Sequence, residues 1–293
     1  MAVKTNERRV QEIITSIATK EGEGFSIRRP FPTRERSYID PFLLLDHMEP
    51  VELGPGEAKG APHHPHRGFE TVTYMLEGKM IHEDSAGHGG EIGPGDVQWM
   101  TAGRGVIHSE MPSPFLFEKG GRLHGFQLWV NLPADKKMMA PRYQEIKSAA
   151  IPEAVSADGK VSAKVIAGTL FGVTAQIDTV IPITYLHLRL QPGAAVQIPV
   201  TEGDTAFAYV ITGAGSFGSE SQQSTAGADQ LVLFGNTGDI ATISNAAASG
   251  ELSVLFLAGK PLNEPVARYG PFVMNTPAQI EQAVRDYQNG SLA

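Results

Sequence analysis

The residues of this sequence whose types and spacing could do chemistry are His63-His64-Pro65-His66 and, further on, His108-Ser109-Glu110. Side chains on an extended strand alternate faces, so His64 and His66 point the same way, as do His108 and Glu110. If the two segments lie on neighbouring strands, three imidazoles and one carboxylate converge on one interior point. Such a donor set makes a mononuclear metal site. It suits Fe and also Mn, Co, Ni or Cu, because ligand type alone does not choose among them. The chain contains no cysteine, so any metal must be held by His and carboxylate, and thiol nucleophiles, disulfides and iron–sulfur clusters are excluded.

Other residues compete for a place. Glu70 is the rival carboxylate; on a straight strand it sits about 13 Å past His66, although Gly68 could bend the chain back. Arg67 could pair with Glu70 or line the mouth of the site. His63 alternates to the face opposite His64 and is expected just outside the coordination sphere. His82, His88 and His124 lack a partner at ligand spacing and read as core or surface histidines, with His124 able to line a cavity if its strand faces inward. Trp99, Phe126 and Trp129 read as core, while Phe126 and Val72 are candidates for the apolar wall of a substrate pocket.

Strands and turns must position these groups. Thr71–Leu76, Lys79–Asp84, Val97–Thr101 and Leu123–Leu132 are strand-length runs separated by glycine-rich turns such as Gly93-Pro94-Gly95. That rhythm predicts an all-β, antiparallel barrel or sandwich. Tyr38–Met48 is an apolar run of strand length, buried on both faces. Residues 136–150 read as a linker, after which the rhythm resumes. Tyr209-Val210-Ile211-Thr212-Gly213 echoes Tyr74–Gly78, Asp229–Phe234 echoes Asp96–Met100, and Leu255–Leu262 echoes Leu128–Pro133. The expectation is two tandem antiparallel β-barrels, 1–135 and 151–293. The second offers only His187 in place of the histidine cluster and is expected to be metal-free. Thr276 suits an N-cap and Pro277 the first helical position, with Ile280, Ala283, Val284 and Tyr287 on one stripe. This predicts a short C-terminal helix that docks on a barrel face, the first barrel being one candidate.

A net charge of −8 argues against direct binding of nucleic acid, which needs a clustered basic surface. No run of about 18 apolar residues is present, and Met1–Arg9 leads into no apolar core of signal-peptide length. A cytoplasmic protein that binds no membrane is expected.

The segments His64–Thr71, Gln98–Gly105, His108–Pro112, Gln127–Pro133 and Tyr269–Asn275 together resemble the signature segments of the pirins. The resemblance implies a bicupin, two cupin barrels with metal in the N-terminal one only. The family's iron ligands fall on His64, His66, His108 and Glu110. Glu70 matches a residue of the broader cupin motif that pirins do not use as a ligand. Family roles include quercetin 2,3-dioxygenase and transcriptional co-regulator or redox sensor. The resemblance therefore implies an iron-dependent dioxygenase that takes a flavonol and O2, with Glu110 as the catalytic base. The alternative is a metal-dependent interaction protein with a protein partner. A monomer is expected in either case.

Overall fold

The computed structural model describes residues 6–219 and 221–293. The chain forms two compact units that are not consecutive in sequence. One comprises Ile17–Ala150 with Leu262–Ala293 and carries the histidine cluster. The other comprises Ile151–Pro261 with the described residues up to Ser16. Each is predominantly β and built from one seven-stranded and one four-stranded antiparallel sheet plus a two-stranded hairpin, Thr169–Leu170 with Val173–Thr174 in one and Ala267–Tyr269 with Phe272–Met274 in the histidine-bearing unit.

In the histidine-bearing unit the large sheet runs Arg142–Ile146, Val97–Thr101, Phe69–Glu77, Gly121–Asn131, Phe42–Leu53, Phe25–Phe31 and Ile17–Glu21. The small sheet runs Ala61–His66, Val106–Pro112, Met80–Asp84 and Gly89–Ile92. Alternation sets what faces inward. Phe69 packs with Leu43, Leu44, Trp129 and Val273 at one end, and Met75 packs with Ile27, Met48 and Met80 at the other. Between those two apolar clusters the same strand turns Thr73 inward, opposite Gln127. The interior is thus apolar at its ends and polar at its waist.

In the other unit the inward positions are apolar throughout. Leu186, Leu188 and Leu190 alternate along Ile183–Leu190 and join Val254, Phe256, Val210 and Phe217 in one cluster. Full burial of each such side chain contributes roughly 1.5–3 kcal/mol. His187 lies on the opposite face of its strand, with Nε2 2.9 Å from Ser253 Oγ.

The predicted internal duplication matches the sheet order. Phe69–Glu77 corresponds to Thr205–Thr212, Val97–Thr101 to Gln230–Phe234, and Gly121–Asn131 to Leu252–Gly259. The expected boundaries need correction. Residues 136–150 are not a free linker, because Arg142–Ile146 is an edge strand paired with Val97–Thr101. The corresponding edge in the other unit is Val10–Thr15, paired with Gln230–Phe234, so the N-terminal strand belongs to the second unit. The C-terminal helix Pro277–Gln288 starts where predicted, with a Thr276–Gln279 capping box, but belongs to the histidine-bearing unit. A short helix over Pro114–Lys119, capped by Ser113 Oγ, was not anticipated.

Candidate metal centre

His64 and His66 lie on Ala61–His66, which pairs with Val106–Pro112 so that His108 stands opposite His64. The register slips between His108 and Glu110 on that side, whereas pairing with Met80–Asp84 on the other side is continuous, with Glu110 opposite His82. The bulge is therefore absorbed by Ala61–His66, and His108 and Glu110 keep a common face. Ring centroids of His64, His66 and His108 are 4.5–5.0 Å apart, and one nitrogen from each lies within 4.8 Å of the others. No other such trio of His, Asp or Glu occurs among the described residues.

The donor chemistry of this trio fits a metal ion. His64 Nδ1 donates to the Pro62 carbonyl at 2.8 Å, which leaves the lone pair on Nε2. His66 Nδ1 and both nitrogens of His108 are buried without a hydrogen-bond partner among the described residues. Buried polar atoms normally find partners, so orphaned nitrogens grouped at one point mark a place for a Lewis acid. Burial holds His66 well below the ordinary imidazole pKa, helped by the nearby His108 and His64 and opposed by the Pro271 carbonyl. Burial likewise draws His108 down to about 4, against the pull of Glu110. Both rings are neutral at pH 7, the state that ligates.

Glu110 stands beside the trio and not within its 4.8 Å cluster. Its Oε1 accepts from Thr73 Oγ1 at 2.9 Å and its Oε2 from Gln127 Nε2 at 3.0 Å. Burial pushes this carboxyl up, but His108, His64 and these two donors outweigh it and hold the pKa below the usual range. The result is an oriented, ionised carboxylate. Thr73 and Gln127 were missed in the sequence. The available signal was two polar residues paired across strands on an otherwise apolar inward face.

A cavity of about 700 Å³ opens over His64, His66 and Glu110. Phe25, Leu44, Met48, Met80 and Trp129 form its apolar walls, and Glu21, Asp46 and Arg268 add charged groups to the lining, Asp46 buried and Glu21 and Arg268 reached by solvent. Arg29 clamps both Asp46 oxygens at 2.6 Å and also reaches Glu21. Burial outweighs that clamp and pushes Asp46 up to about 6. The Arg268 guanidinium lies 4.8 Å from the Trp129 ring centroid, and Trp129 in turn meets His66 edge-on at 5.4 Å. Trp129 is therefore a cavity wall as well as core.

Several expectations resolve differently. Phe126 and Val72 are fully buried and do not line the cavity; Phe126 stacks on His47 at 4.4 Å. His124 meets His47, Nε2 to Nε2, at 2.9 Å, and also stands away from the cavity. His82 pairs with Glu145, and His88 with Asp84 at 3.0 Å. Glu70 is buried and accepts from Thr101 Oγ1 at 2.7 Å. Arg67 pairs with neither Glu70 nor solvent at the mouth; it bonds the Arg104 carbonyl and Asp286. His63 is exposed at the cavity rim.

Two family models match the chain, Pirin over residues 24–130 and the Pirin C-terminal cupin domain over residues 185–293. Pirin-1 of Arabidopsis thaliana is 45% identical over 271 residues, covering 92% of this chain and 89% of the relative. Pirin of Homo sapiens is 42% identical over 285 residues, covering 97% and 93%. A crystal structure of quercetin 2,3-dioxygenase from Acinetobacter baumannii superposes with a TM-score of 0.90 at 35% identity, over 98% of this chain and 99% of that one.

Proposed function

The chain belongs to the pirin family, and from that premise we propose that it is a metal-dependent dioxygenase that opens the heterocyclic ring of a flavonol such as quercetin, consuming O2 and releasing CO. The observation that carries this reading is the trio of clustered imidazoles, His66 and His108 with orphaned buried nitrogens and His64 and His66 lining an apolar-walled cavity, with an oriented carboxylate beside it. The similarity to a structure named quercetin 2,3-dioxygenase supports the choice of substrate.

His64, His66 and His108 would hold the metal, with Glu110 as the fourth candidate ligand and iron as the first candidate over Mn, Co, Ni or Cu. A bound metal would supply Lewis acidity at the substrate hydroxyl and a path for electrons toward O2. The protein's own part is positional and protic. Glu110, ionised and aimed by Thr73 and Gln127, takes the proton of the flavonol 3-hydroxyl. Its low pKa makes it a weak base alone, so this transfer depends on a substrate hydroxyl that has itself been acidified. Phe25, Met48 and Trp129 exclude water and hold the flat rings. The polar mouth at Glu21 and Arg268 suits a hydroxylated ring that extends outward. The test is incubation of iron-loaded protein with quercetin while flavonol absorbance, O2 uptake and CO are followed. Intact substrate across a panel of flavonols contradicts the proposal.

A second reading is a protein whose metal state switches binding to a partner with a basic surface. It is favoured by one observation: the C-terminal segment is fastened to Arg67, the residue after His66. Pull-downs with ferrous, ferric and metal-free protein test it, and equal recovery of partners from all three rejects it.

A further inference from the structure

Lys137 is fully buried in the tight turn that follows Leu132. Its ammonium spends all three donors on neutral acceptors: Gly68 O at 2.8 Å, Asn131 Oδ1 at 2.6 Å and Val273 O at 3.0 Å. None of its bonded partners among the described residues is a carboxylate. Burial lowers its pKa to about 8. Glu264 acts on it only through space and is not bonded to it, and a buried cation without a bonded carboxylate is a poor way to gain stability, since an apolar chain of equal length would fill the space without the desolvation cost. Its contacts show what it does hold.

Gly68 follows His66-Arg67 and turns the chain at φ +90°; a Cβ there would stand 2.0 Å from Val273 O. The C-terminal segment thus lies directly on the backbone beside a candidate ligand. Val273 N donates to Arg67 O at 3.0 Å, and Arg67 N donates to Pro271 O at 3.3 Å. Gly68 N donates to Gly103 O at 2.8 Å, and Lys137 closes the remaining carbonyl. Every backbone polar atom of the two residues after His66 is therefore fixed, half of them by residues 271–273. Among the described residues, Lys137 is the one side chain that hydrogen-bonds both partners, Gly68 and Val273.

We propose that Lys137 is a positioning residue for the metal site: by tying Gly68 to Val273 it holds His66 in ligating geometry and makes metal binding and docking of residues 262–293 mutually dependent. This rests on the reading of His64, His66 and His108 as ligands. Linkage is reciprocal, so a metal that favours the docked segment must be favoured by it to the same degree.

The test uses Co(II) as probe on the full-length protein. In the wild type, amide exchange at Gly68 and Val273 slows when Co(II) is added. Lys137→Met keeps the stem but removes the ammonium. It weakens Co(II) binding at least roughly tenfold, the range of lost outer partners of metal ligands, and abolishes the slowing at Val273. Arg8→Lys, which disturbs a buried cation bonded to four carbonyls in the other unit, lowers the melting temperature without moving Co(II) affinity. Equal Co(II) affinity in wild type and Lys137→Met overturns the proposal. If that variant does not fold, the wild-type exchange decides alone, and unchanged protection of Val273 overturns it. A wild type that binds no Co(II) refutes the ligand assignment and this inference together. A wild type that binds Co(II) while Gly68 and Val273 show no change in exchange refutes only the inference.

Discussion

Arg67 and Asp286 meet at 2.7 Å, joining the residue after His66 to the C-terminal helix more than two hundred positions away in sequence. Arg67 is buried and its partner mostly so, and the ion pair is the helix's polar anchor, complementing the apolar contact of Ala283 with Phe272 and Leu292. Removing the carboxylate leaves the arginine buried and unpaired. Asp286→Asn should cost about 1–3 kcal/mol, read as a lower melting temperature and faster exchange over Pro277–Gln288. Unchanged exchange in that helix would show that apolar contact alone holds it.

Glu110→Gln keeps the shape of the side chain but removes its charge. Flavonol turnover should fall by roughly 10²–10⁴-fold, the usual contribution of a general base. Thr73→Val should leave the carboxylate with one donor and raise its pKa. Its turnover profile should then shift to higher pH on the acid limb. A Glu110→Gln variant with wild-type turnover would remove the carboxylate from the mechanism.

The pair His47–His124 predicts acid sensitivity independent of any metal. Burial, His47 and Arg122 lower His124 to about 4, while the unfolded chain titrates near 6.5. Between those values the unfolded state binds more protons, so stability falls as pH drops from about 6.5 toward 4. Urea melts of wild type and His124→Gln across that window check this. The variant should show a shallower slope, and parallel slopes would mean that His124 carries no share.

Trp99 is fully buried, whereas Trp129 lines the cavity. A flavonol that enters should quench Trp129 and spare Trp99. Trp129→Phe should therefore lose most of the quenching while keeping an aromatic wall. Quenching of equal depth in Trp129→Phe would place the flavonol elsewhere.

The clustering of His64, His66 and His108 was legible because strand period two fixes which side chains share a face, and His64-x-His66 and His108-x-Glu110 survive a one-residue bulge. The helix was legible from Thr276-Pro277 and its apolar stripe. The return of residues 262–293 to the histidine-bearing unit was only one of two open placements, since chain order carries no signal of which barrel a tail joins. Arg142–Ile146 carries no strand signal in the sequence because an edge strand is held by backbone bonds and needs no apolar alternation. Thr73, Gln127 and Lys137 were passed over for one reason: a polar residue in a buried run reveals its purpose only when its partners are in place.

The assignment of the metal site stands or falls on the metal content of this purified chain compared with a His64→Ala/His108→Ala variant. One transition-metal ion per wild-type chain and none in the variant are expected. A wild type that cannot be loaded, or a variant that retains the same metal, would contradict it.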